Sequence, residues 1–374
     1  MAGIYLHIPF CKQACTYCNF HFSTSLQYKD ELVNAIIKEA GTEKNYLSNE
    51  QVQTIYFGGG TPSLLTNSDC EKIMNAIYRE FPVSTDVECT IEANPDDIHA
   101  EKLTGWRNAG INRLSIGVQS FQDEELRWMN RAHNAEQSVQ CIHLSHQYGF
   151  NNLSVDLIYG SPLLTDLQWK ENVEKAVSFH IPHLSCYALT VEEKTPLYKN
   201  IQNRSVMDIN TDRQANQFLM LMQLMRENGY EHYEVSNFAK PGFRSRHNSS
   251  YWKGEKYLGL GPSAHSYNGI ERRWNVSNNQ VYIKSVFNNE IQREAETLTP
   301  DQALNEYIMI SLRTTEGLDL SRLEQKWGAD KRKSTESVLK NYVSRGLIMS
   351  NREKVQLTDE GMLMADGIAS ALFS

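Results

Sequence analysis

Three cysteines, Cys11, Cys15 and Cys18, stand in the order C-x3-C-x2-C. Three thiolates in so short a loop can hold three corners of an iron–sulfur cube and leave the fourth iron without a protein ligand. An open coordination position is what a catalytic metal needs and what a structural one avoids. Zinc is the competing reading, because His21, three residues beyond Cys18, could complete a Cys3His set. The neighbouring aromatics Phe10, Tyr17 and Phe20 would wall a cluster off from water, which favours iron. Of the other cysteines, Cys89 and Cys186 lie in apolar strand-like runs and Cys141 in a helix-like one. Those three read as core residues.

A second group of residues points to a polar ligand. Gly58, Gly59 and Gly60, followed by Thr61 and Pro62, end a strand-like run, and consecutive glycines let a backbone approach a ligand closely. Glu92 and Gln119 close two further strand-like runs, and Asp156 sits inside another. Buried carboxylates and amides are unfavourable unless paired, so a polar ligand in a shared interior would account for all three.

The elements that must position these groups alternate. Strand-like runs at 3–8, 52–57, 86–92, 113–119, 153–159 and 183–189 are separated by segments such as 28–43, 68–80, 135–148 and 166–179, which carry apolar residues at helical spacing. This is an α/β pattern with a parallel sheet. Six units are fewer than the eight of a closed TIM barrel, so a partial (β/α)6 barrel is expected. The cysteine loop follows the first strand and would open at the C-terminal face, where such folds place their sites.

A long helix is expected over 212–228, closing a barrel region of residues 1–233. Residues 234–298 form a connecting segment rich in Gly, Asn and aromatics with weak periodicity, and 299–374 a mainly helical C-terminal domain. In that last domain, helices at 320–327 and 334–345, strand-like pieces at 346–349 and 354–357, and a helix over 359–372 resemble a small winged helix. The second helix so placed has no basic run, so a packing lid or partner surface is expected rather than a DNA reader.

Composition narrows the class further. The chain of 374 residues has a formal net charge of −8, which disfavours non-specific binding to nucleic acid or acidic membranes. No apolar stretch reaches the ~20 residues of a membrane span, and the first residues lack a signal-peptide pattern. Seven cysteines without such a signal do not form a disulfide framework, so a cytoplasmic protein is expected. Oligomeric state stays open between a monomer and a small homo-oligomer.

The cysteine spacing, with Tyr17 before the third cysteine, resembles the signature of the radical SAM superfamily. Gly58-Gly59-Gly60-Thr61-Pro62 is similar to the superfamily's GGGTP element, which contacts the methionine part of S-adenosylmethionine (SAM). The resemblance implies a [4Fe–4S] cluster whose open iron is chelated by SAM, and cleavage of SAM to a 5′-deoxyadenosyl radical. It extends through most of the chain to the coproporphyrinogen-oxidase-like branch. There it implies that Glu92, Gln119, Arg131 and Asp156, with Tyr5 on the first strand, also hold SAM.

Within the branch, three features resemble the haem-chaperone (HemW) family. The oxidase has C-x3-C-x2-C-x-C, whereas this chain carries Phe20 at the last position. The oxidase also has an N-terminal extension, whereas this chain begins four residues before Tyr5. Finally, His247-Asn248-Ser249-Ser250-Tyr251-Trp252 matches the family's HNxxYW element. The resemblance implies haem as a ligand, His247 as its axial ligand with Tyr251 and Trp252 stacked on the porphyrin, and His265 as a second candidate. Two functions follow: a chaperone that delivers haem to acceptor proteins, or a radical SAM enzyme that oxidatively decarboxylates a porphyrinogen.

Overall fold

A computed structural model describes residues 2–373. The six expected strands are present as β1 (Ala2–Ile8), β2 (Val52–Gly59), β3 (Val83–Ala93), β4 (Arg113–Gln119), β5 (Leu153–Tyr159) and β6 (His183–Ala188). They pair in that order, all parallel. Ile4, Leu6 and Ile8 of β1, Ile55 and Phe57 of β2, and Leu114 and Ile116 of β4 point one way, into a core shared with the flanking helices. Alternate residues point the other way and are polar or aromatic, among them Tyr5, Tyr56, Glu92, Ser115 and Asp156. Side chains alternate between the two faces of a strand, so one set builds the apolar core and the other lines a polar interior.

The crossover helices form where helical spacing predicts them, at Lys29–Thr42, Asn67–Glu80, Ala135–Gln147 and Asp166–Ser178. Three start with a reciprocal capping box, Thr66 with Asp69, Asn134 with Gln137 and Thr165 with Gln168, which satisfies free N–H groups at each start. The helix Thr211–Glu227 follows β6 and packs on the crossover helix 166–178.

The segment of weak periodicity is more ordered than expected. It contains β8 (Asn237–Ala239), β9 (Lys256–Leu260), β10 (His265–Tyr267), β11 (Glu271–Asn275) and β12 (Arg293–Thr297), and β7 (Glu231–Glu234) precedes it. One sheet of twelve strands results, in the order β12-β11-β10-β9-β1-β2-β3-β4-β5-β6-β8-β7. The strand β9 runs parallel to β1, and the others added are antiparallel. Between β8 and β9 the helix Arg246–Lys253 packs on the starts of β1 and β2.

The C-terminal region holds the helices Pro300–Leu312, Leu320–Trp327 and Ala329–Ser344 and a small antiparallel sheet. That sheet comprises β13 (Leu318–Asp319), β14 (Ile348–Ser350) and β15 (Lys354–Leu357), in the order β13-β15-β14. Two expectations change here. The second helix starts at Ala329 rather than 334, because Gly328 with φ +91° ends the preceding helix, and so it includes Lys331, Arg332 and Lys333. Two of these are engaged in ion pairs, Lys331 with Asp301, and Arg332 with Glu324 and Glu336. The last helix is also broken, into Asp359–Met362 and Ala365–Ala371. Among the described residues, no helix is long and apolar enough to cross a membrane.

Candidate cluster and SAM site

The cysteine loop leaves β1 at Pro9 and is tied down at both ends. Cys11 N donates to Ser23 O at 3.0 Å, and Thr16 N to Met129 O at 3.1 Å. The three cysteines are partly exposed free thiols at the C-terminal end of the barrel, whereas Cys70, Cys89, Cys141 and Cys186 are buried, the last three as expected. His21 is not turned towards them: its Nε2 meets Asn279 Oδ1 at 2.8 Å. Among the described residues, no three His, Cys, Asp or Glu side chains are grouped to hold a single metal ion, as a zinc site would require.

A cavity of about 880 Å3 opens beside the loop, lined by all three cysteines and by Gly59, Gly60, Thr61, Glu92, Gln119, Arg131 and Asp156. The structure thus brings together ten of the residues singled out by sequence, from the loop after β1, the C-terminal parts of β2, β3, β4 and β5 and the turns after them, and the loop that carries Arg131. Gly58 and Tyr5 sit just beneath the floor: a Cβ on Gly58 would fall 2.9 Å from the Tyr5 ring and 3.1 Å from Glu92 Oε1. Two glycines are required sterically. Gly59 has φ +110°, and a Cβ on Gly60 would lie 2.7 and 2.9 Å from the Phe10 backbone O and N and 3.0 Å from Cys11 Sγ. Gln119 holds φ +66° where β4 slips register against β5, a strained conformation of the kind that gathers at binding sites.

The polar groups are positioned by one another. Glu92 accepts from Tyr56 Oη at 2.9 Å and from Gly59 N at 3.2 Å. Asp156 accepts from Ser115 Oγ at 3.3 Å. Burial and then the neighbouring Asp156 charge push the Glu92 carboxyl up to about 8, and burial pushes Asp156 up to about 6. Arg131 donates through Nη1 to Cys15 Sγ at 3.3 Å and through Nη2 to Asn94 Oδ1 at 2.6 Å and Gly117 O at 2.8 Å. Its Nε is buried without a partner. Asn94, whose Nδ2 also reaches Thr61 Oγ1 at 3.4 Å, is a site residue that sequence reasoning missed; its place two residues after Glu92 was the available signal.

The aromatics and histidines stand differently from what was expected. Phe20 does not shield the loop; it is 69% exposed at the cavity mouth. His247 lies outside the cavity, in the helix beneath the barrel, and is 1% exposed. Its Nδ1 meets Thr54 Oγ1 at 2.8 Å, its Nε2 meets Tyr251 Oη at 3.0 Å, and its ring stacks on Tyr56. Burial lowers it to about 3, so it is neutral, and both ring nitrogens are engaged by hydroxyl partners here. Tyr251 is committed to His247 and packs edge-on against Tyr257, while Trp252 lines a separate cavity of about 510 Å3 beside the C-terminal domain. His265 lies on β10, exposed and stacked on Trp274.

The description "Radical SAM superfamily" matches residues 5–176, and "HemN C-terminal domain" matches 298–364. The heme chaperone HemW of Bacillus subtilis is 35% identical over 374 residues, covering 99% of both chains. The chain belongs to the HemW family. HemW of Lactococcus lactis is 31% identical over 365 residues, covering 97% of this chain and 95% of its own. Coproporphyrinogen III oxidase (HemN) from Escherichia coli, a radical SAM enzyme, has the same fold. It superposes with a TM-score of 0.86 at 24% identity, over 100% of this chain and 90% of that one.

Radical SAM membership implies a [4Fe–4S] cluster and SAM, and the residues of this HemW-family chain fit both. The unpartnered Arg131 Nε is a donor ready for a carboxylate. The cradle at Gly59 and Gly60 leaves space that any Cβ would fill. Glu92 and Asp156 have no ion-pair partner among the described residues, and SAM would bring a sulfonium cation and ribose hydroxyls to such a pair. When bound, the cluster and SAM together would supply one-electron chemistry. The protein's part would be to fix it, with the glycine backbone facing the methionine part, Arg131 the carboxylate, and Glu92 and Asp156 the cationic and hydroxyl groups.

Proposed function

We propose that the chain is a haem chaperone, which binds haem, carries a [4Fe–4S] cluster on Cys11, Cys15 and Cys18 with SAM beside it, and passes haem to acceptor proteins. The observation that carries this reading is the end-to-end match to proteins named heme chaperone HemW, at 35% identity over 99% of both chains. Phe20 supports it: the position that carries a fourth cysteine in the oxidase pattern is here an apolar side chain standing open at the cavity mouth. Action in the cytoplasm belongs to the same reading.

The test is anaerobic reconstitution with iron and sulfide, followed by haem titration and, in parallel, incubation with coproporphyrinogen III, SAM and a reductant. Stoichiometric haem binding without decarboxylation is expected. Protoporphyrinogen formation would instead make the chain an oxidase and sink the chaperone reading.

A further inference from the structure

Beside the SAM cavity a turn is held in an unfavourable shape. Gln119, at the end of β4, has φ +66°, and across it Ser120 N donates to Val118 O at 2.9 Å. That pairing makes a γ-turn of the rare, strained hand. An L-residue stays in such a conformation only where its surroundings over-determine it. Gln119 lines the cavity, so the turn decides where its side chain reaches.

The groups that hold this turn do not line the cavity themselves. Ser120 Oγ donates to Glu125 Oε2 at 2.6 Å and accepts from Gln122 N at 3.1 Å and from Asn172 Nδ2 at 3.0 Å. A hydroxyl has one proton and two acceptor sites, so this one is fully used. Asn172 Oδ1 also accepts from Phe121 N at 3.0 Å. Glu125, on the short helix Asp123–Trp128, is 1% exposed and accepts through Oε1 from Ser161 Oγ in the turn after β5. That strand carries Asp156, and the helix of Glu125 leads into the loop that brings Arg131 to Cys15. One buried carboxyl thus stands behind three parts of the cavity wall. An apolar side chain would fill its place, but only an acceptor there can take the Ser120 proton.

We propose that Glu125 is a positioning residue for SAM: through Ser120 it locks the turn that carries Gln119, and through Ser161 it ties that turn to the end of β5. The inference rests on the reading of this cavity as the SAM site. Burial holds the Glu125 carboxyl above its ordinary range, so the neutral amide of glutamine is a close stand-in. In Glu125→Gln the carbonyl oxygen can face Ser120 and the NH2 group Ser161, whose hydroxyl can accept. Glu125→Leu fills the space and leaves the Ser120 proton without a partner.

The test is titration of the full chain, reconstituted with iron and sulfide, with SAM. It is read as a dissociation constant and by electron paramagnetic resonance of the reduced cluster. Glu125→Leu is expected to raise the constant about tenfold and to diminish the spectral change that SAM induces, with iron content unaltered. Glu125→Gln should stay within about twofold of the unsubstituted chain. Should Glu125→Leu fail to fold, Ser120→Ala removes the hydroxyl alone and is expected to show the same loss. Unchanged affinity in Glu125→Leu or Ser120→Ala, or equal losses in Glu125→Leu and Glu125→Gln, would make the carboxyl a structural brace and overturn the proposal. Absence of SAM binding by the unsubstituted chain would instead overturn the SAM reading, and this inference with it.

Discussion

At the scale of single residues, the site is a set of charges awaiting their counter-charges. Cys15 is the cysteine that Arg131 touches, so Cys15→Ala removes both a cluster corner and an anchor of the guanidinium. The expected result is no iron–sulfur absorbance after reconstitution, with far-UV circular dichroism unchanged; a cluster that still assembles would remove Cys15 from the ligand set. Glu92 and Asp156 make a pH prediction. Both folded-state values, about 8 and about 6, lie above the ordinary 4.5 and 3.8. From about pH 4 to 8 the folded chain therefore holds more protons than the unfolded one, and the stability of the ligand-free protein falls as pH rises through that window. A cationic ligand reverses the balance, so SAM affinity should rise with pH over the same range, with proton release. Urea midpoints at pH 5 and pH 8 test this. Glu92→Gln should flatten the slope and add on the order of 1 kcal/mol at pH 8 while weakening SAM binding. A slope left undiminished by the substitution would mean that Glu92 is not a group responsible.

At the scale of elements, the turn after β2 and the helix beneath the barrel make opposite predictions. Gly60→Ala forces a Cβ into the Phe10 backbone, which can yield only by moving the cysteine loop. We expect a loss of roughly 1–3 kcal/mol and a poorly retained cluster, read by thermal melting and iron content. His247→Ala leaves the Thr54 and Tyr251 hydroxyls facing a void. It should cost roughly 2–4 kcal/mol in denaturant unfolding and leave haem affinity alone. The reverse pattern, intact stability with lost haem binding, would restore His247 as an iron ligand. These two elements also show what a sequence can reveal. The six barrel strands were legible because each is a short run with apolar residues at alternate positions, bounded by helical spacing, and β4 and β5 match their expected limits. The cysteines and glycines were legible because their chemistry depends on local spacing. The role of His247 was not, because it is set by Thr54, 193 positions away, which no local pattern encodes. The strands β11 and β12 were hidden for another reason. Glu271-Arg272-Arg273 and Arg293-Glu294-Ala295-Glu296 carry the charges that protect a sheet edge from pairing with other chains, and these erase the apolar alternation.

At the scale of the whole molecule, the strands added beside β1 are held by the pairing of β9 with β1 and also by a buried carboxylate on the first crossover helix. Glu39, on the first crossover helix, accepts from Gly261 N at 2.9 Å, Tyr282 Oη at 2.5 Å and Asn275 Nδ2 at 2.7 Å. It thereby grips the turn after β9, the end of β11 and the helix Asn279–Phe287 at once. One turn along the same helix, Glu43 holds Arg293, at 2.8 Å, and Arg273. The grip reaches the SAM site through packing. A Cβ on Gly261 would lie 2.5 Å from His7 O, and the His7 ring lies 2.8 Å from where a Cβ on Gly59 would stand. The added sheet thus backs His7, and His7 backs the glycine turn. Glu39→Ala leaves three donors unpaired in the interior and should cost roughly 3–5 kcal/mol. Because the three donors sit on one side of the junction and the helix on the other, the loss should fall on the junction. Trp274 fluorescence on β11 is then expected to change at lower denaturant than far-UV circular dichroism, with SAM affinity reduced in native buffer. Coincident transitions with an unshifted midpoint would show that the strands are held by their pairing with β1 alone, and that the carboxylate is a passenger in the fold.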